Sequence, residues 1–580
     1  MRSAMLTVLG GLAVALFVGA TVMLSNPAPA SAANATEIAA GGDHSCAIVA
    51  GGAVKCWGDN DNGQLGNNDA PNDSSAPVDV CTFFLFFCSN VSGMTDISAG
   101  FNHTCAVTGG GGVQCWGDNS RGQLGNDNDP NDADTPVNVC AGTFLFGPPP
   151  CDSNLANVEQ VAVGDVHSCA LISGGTVKCW GSNTNGQLGD GTTTDRSTPV
   201  TVCDAPGLFF GCSPSLTDVV QIAAGASHTC ALHSDGSVSC WGDNAFGQLG
   251  NNDAPNDSDT AVTVCATTLL FGDPCSSDLA GVDSIGAGSG YTCAVMDAGR
   301  AKCWGHNASG QLGNGFTTDR STPVDVCVSA GFFGCDPALD GVDEIRDAGG
   351  LHTCVLMDDT GVMCWGENAR GQLGNGDAPD DSVAPVDACV FIFLLFTCLP
   401  VTGYESVSAG DNHTCAATSS GGIQCWGESD PNGQVGDGAT VNRDRPTNVV
   451  TLGPKEAPTP TATATATSPD PTATPTNTSP APTATPTNTS PGPTATPTNT
   501  SPGPTTTATA TSPGGVLIGD VNCDGLVNAI DALFVLQFIA GLLPAFPCPD
   551  AADVDGSGAV TAIDAALILQ HAAGLITLPS

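Results

Sequence analysis

The chain is 580 residues long, with 58 acidic residues against 13 Lys and Arg, and carries a formal net charge of −45. That balance repels a phosphate backbone or an anionic membrane surface and excludes nucleic acid as a partner. Only 12% of residues are charged, whereas Gly numbers 74 and Cys 28, a mix that suits short strands and tight turns rather than long surface helices.

The N-terminus carries Arg2, an apolar run from Met5 to Leu24, and then N-P-A-P-A-S-A-A. This predicts a secretory signal over residues 1–32, cut after Ala32. The length of the apolar run leaves an uncleaved anchor as the alternative. The expected location is secreted and extracellular, or attached to the cell surface.

Residues 37–452 repeat one unit seven times. The first copy contains C-A-I-V-A-G-G-A-V-K-C-W-G-D-N-D-N-G-Q-L-G from Cys46, and further copies start at Cys105, Cys169, Cys230, Cys293, Cys354 and Cys415. Each copy opens on a short apolar strand such as I-A-A-G, then a turn, then His-Ser/Thr-Cys. A Gly-containing turn and a second strand ending in Cys-Trp-Gly follow, which is a hairpin signal. N-x-x-G-Q-L-G, an Asn/Asp-rich turn and T-P-V-x-V complete the unit, giving about four strands. No such unit covers its own apolar faces, so seven are expected to close into a ring, a seven-bladed β-propeller, with Arg445 to Val450 supplying the last strand.

The 28 cysteines divide without remainder into local pairs. Seven lie inside the repeats: Cys46–Cys56, Cys105–Cys115, Cys169–Cys179, Cys230–Cys240, Cys293–Cys303, Cys354–Cys364 and Cys415–Cys425. Six lie between them: Cys81–Cys88, Cys140–Cys151, Cys203–Cys212, Cys265–Cys275, Cys327–Cys335 and Cys389–Cys398. Cys523–Cys548 makes the last. An even set at regular spacing in an exported chain reads as disulfides, and ten-residue spacing places the two cysteines opposite each other across the hairpin. The segments closed by the inter-repeat pairs are apolar, for example T-F-F-L-F-F and V-F-I-F-L-L-F-T with Phe391 to Phe396. They either fold onto neighbouring blades or form an apolar rim for a partner.

W-G-x-N-x-x-G-Q-L-G with G-x-x-H-T-C-A resembles the regulator of chromosome condensation repeat, across all seven units; the seventh has an insertion at Glu428 to Asn432. The resemblance implies a seven-bladed propeller. Eukaryotic relatives act in nucleotide exchange on a small GTPase or on chromatin, and an exported acidic chain should meet neither partner, so no nucleotide is expected either. His44, His103, His167, His228, His352 and His413 invite an acid–base role. Yet a catalytic group is needed once and a packing group in every blade, so these histidines and the seven tryptophans are expected to be architecture. The Asp59-Asn60-Asp61-Asn62-Gly63 turns are expected to be turn chemistry rather than cation sites.

Residues 453–515 are Pro, Thr, Ala and Ser, with P-T-A-T-P-T-N-T-S-P repeated, and are expected to form an extended, disordered linker. Residues 516–580 carry two oxygen-rich loops of calcium-binding spacing. Asp520, Asn522, Asp524, Asn528 and Asp531 supply side-chain oxygens to the first, with the carbonyl of Leu526. Asp553, Asp555, Ser557, Thr561 and Asp564 supply the second, with the carbonyl of Ala559. An apolar helix pattern follows each loop. Two such loop–helix units in tandem resemble a type I dockerin domain. The resemblance implies a small α-helical fold, two Ca2+ ions and a cohesin-type surface or scaffold protein as partner. The family's partner-contacting positions fall on Ala529, Ile530, Ala562 and Ile563. The whole reads as an all-β propeller, a disordered linker and a small α-helical domain, more a binding or scaffold protein than an enzyme. The alternative is a component of a polysaccharide-degrading complex with glycoside hydrolase-type activity.

Overall fold

The structure is a computed structural model that describes residues 35–450, except 85–86, 142–152, 205–213, 268–274, 329, 332–333, 336, 347–348 and 393–396, together with Val535. The expected signal (1–32) and linker (453–515) lie outside the described residues, as does the 516–580 domain save for Val535.

Seven four-stranded antiparallel sheets follow one another, each built from consecutive strands. In blade 1 the strands are Ala35–Ala40, His44–Val49, Ala53–Gly58 and Ser74–Asp79. The innermost strands of blades 2 to 7 are Met94–Ala99, Val158–Val163, Val219–Ala224, Val282–Ala287, Val342–Glu344 and Tyr404–Ala409. Blade 7 ends on Arg443–Asn448, so the expected last strand is present. The two ends of the ring meet by packing whole blade on whole blade. The Ala40 amide donates to Ser408 Oγ at 2.9 Å, and the Gly438 amide to the Ser75 carbonyl at 2.8 Å.

The Cys-Trp-Gly sequence is explained residue by residue. Cys46 lies directly opposite Cys56 in the register of the second and third strands, their Cα atoms 4.1 Å apart, and the same pairing recurs in every blade. Closing a loop this short contributes roughly 2–3 kcal/mol per disulfide through the unfolded chain. Gly58 follows at a register shift toward the fourth strand with φ +107°, where a Cβ would lie 2.4 Å from the Asp43 carbonyl. Only glycine fits there.

Trp57, Trp116, Trp180, Trp241, Trp304, Trp365 and Trp426 are fully buried. Each fills the interface with the preceding blade: Trp116 packs with Ile48, Leu65 and Val80 of blade 1, and Trp57 with Ile423 and Val435 of blade 7. Seven interfaces thus use seven indoles, each burying a large apolar surface.

The inter-repeat pairs Cys81–Cys88, Cys265–Cys275 and Cys389–Cys398 are disulfides. Cys140, Cys203 and Cys327 are also disulfide-bonded; the side chains of their expected partners Cys151, Cys212 and Cys335 lie outside the described residues, as do Cys523 and Cys548. Four of these segments carry small two-stranded hairpins that the repeat pattern did not predict, such as Cys81–Phe84 with Phe87–Asn90. Those that start at Cys81, Cys265 and Cys389 lie against the outer strand of the next blade. The apolar loop tips, including Phe393 to Phe396, lie outside the described residues.

Candidate functional site: the propeller channel

The six repeat histidines are fully buried and form a circuit around the ring rather than a reactive centre. Nε2 of His44 lies 2.7 Å from Thr104 Oγ1 in the next blade, and His103, His167, His228, His352 and His413 meet Ser168, Thr229, Thr292, Thr414 and Ser45 in the same way, at 2.7–2.9 Å. Where Thr229 donates to the Gln187 carbonyl at 3.1 Å, its oxygen must accept from His167. The histidine is therefore the neutral Nε2–H tautomer. Nδ1 of all six is buried without a hydrogen-bond partner. Burial holds their pKa values down at about 3 to 4. Tyr291 replaces histidine in blade 5 and keeps the circuit closed, donating to the His352 carbonyl at 2.5 Å and accepting from Thr353 at 3.0 Å.

The Gln of G-Q-L-G completes the joint. The Gln187 carbonyl also accepts from Trp241 Nε1 at 2.9 Å, and every blade repeats this bond. The Asn/Asp turns are explained likewise. Asn60 Oδ1 accepts from the Leu65 amide at 3.1 Å, while its Nδ2 donates to Asn67 and the Asn72 carbonyl. Asp59, Asp61 and Asp73 lie close together. Asp73, however, caps the Asn60 amide at 3.0 Å as Asp132, Asp257 and Asp381 cap their own turns, so the expected turn chemistry holds.

At one end of the channel the innermost strands finish on Gly41, Gly100, Gly164, Gly225, Gly288, Gly349 and Gly410 around a cavity of about 50 Å³. A Cβ on Gly225 would stand 2.3 Å from the Gly288 carbonyl and as close to the His228 ring, so the small residue sets how near the blades approach. Asp165 and Asp411 border this cavity. Burial raises their carboxyls to about 6 and about 7, with repulsion from Asp165 and Asp43 adding to the shift of Asp411.

The other end opens into a cavity of about 660 Å³. Side chains along its wall stitch the innermost strands of blades 2 to 5 to one another. The Val161 amide donates to Asp96 at 2.7 Å, the Ile222 amide to Gln160 at 2.9 Å and the Ile285 amide to Gln221 at 2.9 Å. Arg346 breaks the pattern: where other blades carry Ala39, Ser98, Ala162, Ala223, Gly286 and Ser408, blade 6 extends a guanidinium. It pairs with Glu344 at 2.7 Å and with Glu37 of blade 1, bridging past blade 7. Sequence reasoning missed this pair. The only signal was a long cation at a position otherwise held by Ala, Ser or Gly. The predicted calcium ligands (Asp520 to Asp531 and Asp553 to Asp564) and the partner positions Ala529, Ile530, Ala562 and Ile563 lie outside the described residues.

A seven-bladed ring of Trp-clamped, disulfide-closed blades defines a stapled β-propeller. The model of the RCC1-like domain matches residues 146–466. That of the regulator of chromosome condensation (RCC1) repeat matches 35–64, 94–123, 52–107 and 110–171. The chain belongs to the RCC1-like propeller family. It also carries a dockerin type I domain at 518–571. The ultraviolet-B receptor UVR8 of Arabidopsis thaliana is 30% identical over 412 residues, covering 70% of this chain and 80% of the receptor. The human E3 ubiquitin-protein ligase HERC2 is 28% identical over 349 residues, 60% of this chain but only 6% of the ligase. The crystal structure of human WBSCR16 shares the fold, with a TM-score of 0.50 and 21% identity, covering 66% of this chain and 86% of that one.

Proposed function

We propose that this is an exported, non-enzymatic binding protein whose propeller engages a protein or ligand and whose C-terminal domain attaches it, in a calcium-dependent way, to a cohesin-bearing surface or scaffold. The observation that carries this reading is the dockerin type I match at 518–571, spanning both oxygen-rich loops. The donor chemistry fits Ca2+. Asp520, Asp524 and Asp531 give the first loop three carboxylates, Asp553, Asp555 and Asp564 give the second three, and all other donors are oxygens, as a hard cation requires. Ser557 and Thr561 offer neutral oxygens and make the second loop the weaker site. Bound calcium would neutralise carboxylates that otherwise repel one another and so order the loops and their helices.

Ala529–Ile530 and Ala562–Ile563 would present apolar contacts to the cohesin. The propeller supports a binding role because its recurrent histidines and tryptophans are consumed in joining blades. The disulfides of each blade suit an oxidising compartment. Titrating the full-length protein with cohesins of differing contact surfaces, with calcium and then with chelator, tests the reading. Binding to at least one cohesin that chelator abolishes is expected; no binding across the panel, or binding that survives chelator, counts against it.

A further inference from the structure

At the narrow end of the channel the axial glycines are not equally bonded. The Gly41 carbonyl accepts from the Asp411 amide at 3.2 Å, and those of Gly100, Gly349 and Gly410 accept from the Gly42, Ser289 and Gly350 amides at 3.1 Å. Each of these bonds ties one blade to the next. The carbonyls of Gly164, Gly225 and Gly288, on the consecutive blades 3 to 5, receive no hydrogen bond from the described residues. All three glycines border the cavity of about 50 Å³.

Asp165 of blade 3 and Asp411 of blade 7 border the same cavity, nearly opposite each other in the ring. Both lie deep in the protein, and among the described residues neither carboxylate gains a hydrogen bond or a cation to offset its burial. The cavity thus collects three carbonyls and two carboxylates with no donor to serve them. Unmet acceptors at this depth cost free energy that a ligand rich in N–H groups recovers.

Size and chemistry narrow the ligand. The volume is too small for a whole small-molecule ligand and suits a single head group. No third His, Cys, Asp or Glu among the described residues closes with Asp165 and Asp411 into a metal-sized group. A guanidinium carries five N–H donors, no acceptor and a delocalised charge, so it can serve carbonyls and two separated carboxylates at once. Phe101 borders the cavity at 42% exposure and offers a face to the apolar stem behind such a head.

We propose that the narrow end of the channel receives the guanidinium of an arginine side chain presented by a protein partner. The Gly164, Gly225 and Gly288 carbonyls and the Asp165 and Asp411 carboxylates hold the head, and Phe101 packs on the stem. This rests on the binding role proposed for the propeller and is independent of attachment through the C-terminal domain.

The test is calorimetric titration of the full-length protein with a short end-blocked peptide carrying one arginine among glycines and serines. Millimolar calcium, pH 8 and about 0.15 M salt are used, the salt screening exposed charges beyond about 8 Å. One saturable site is expected. Citrulline in place of the arginine keeps the shape and loses the charge, and should weaken binding at least about tenfold. Asp165→Asn with Asp411→Asn should weaken it as much, and Phe101→Ala about threefold. Asp278→Asn with Asp380→Asn, an equal charge change at exposed positions away from the channel, should leave it unchanged. The proposal is overturned by absence of saturable binding, by a citrulline peptide that binds as well, by binding that survives in the folded Asp165/Asp411 variant, or by an equal loss in the Asp278/Asp380 variant. The citrulline comparison uses the unaltered protein and so decides the matter even if a variant misfolds. Calcium-dependent cohesin binding is read separately, so either reading can fail without the other.

Discussion

Replacing Thr229 with Val probes the joint between blades 3 and 4 with almost no change of shape. The Thr229 hydroxyl accepts from His167 at 2.9 Å and donates to the Gln187 carbonyl at 3.1 Å. After the change the carbonyl still accepts from Trp241 at 2.9 Å and is not stranded. His167 fares worse: its Nδ1 has no partner, so losing the Nε2 bond leaves the whole buried ring unsatisfied. An orphaned buried donor costs about 1–3 kcal/mol, and the extra buried methyl returns up to about 0.8 kcal/mol. The net expectation is a loss of about 1 kcal/mol. Thr229→Ser keeps both bonds, as Ser45 and Ser168 do in their blades, and should cost about half as much or less. Urea unfolding followed by tryptophan fluorescence at pH 8, where the histidines are neutral in both states, reads the difference. A Val variant within about 0.5 kcal/mol of the parent, or more stable than the Ser variant, refutes the reasoning.

The six buried histidines, held at about 3 to 4, make the fold acid-sensitive. The unfolded chain takes up protons below about pH 6.5 that the folded chain refuses, so each histidine removes stability at up to about 1.4 kcal/mol per pH unit. Asp59, Asp165 and Asp411, raised to about 6, about 6 and about 7, act oppositely by taking protons in the folded state, but they are three against six. The urea midpoint should fall from pH 7 to pH 5; a rise contradicts the assignment. Gly225→Ala places a methyl 2.3 Å from the Gly288 carbonyl and should cost about 3 kcal/mol or prevent secretion, because the blades cannot part at the axis. Graded reduction with alkylation and mass mapping should open Cys81–Cys88, whose Cys88 is exposed, before the fully buried Cys46–Cys56. Arg346→Ala leaves the mostly buried Glu37 without its guanidinium and should lower stability by about 1–2 kcal/mol, less at high salt.

The ring and its staples were legible because each blade repeats the same local solution. Trp-Gly at fixed distance from two cysteines names a strand end, a register and a left-handed glycine in one stretch. The tie-breaking role of Gln187, by contrast, is carried by a backbone carbonyl, which leaves no mark on residue type. The hairpins after Cys81 and Cys389 were hidden because their phenylalanines read as apolar bulk without periodicity. The Glu37–Arg346 pair was hidden because its partners are 309 residues apart and meet only when the ring closes. Period and spacing report what each blade does within itself and say little about what seven blades enclose.

Attachment through the C-terminal domain is tested most directly by capture from the native culture surface. The full-length protein is immobilised, exposed to surface extract in calcium, and eluted with chelator, and the eluate is identified by mass spectrometry. A cohesin-bearing protein that is retained with calcium and released without it is the predicted result. Retention of no cohesin-bearing protein, or retention unchanged by chelator, contradicts calcium-dependent attachment.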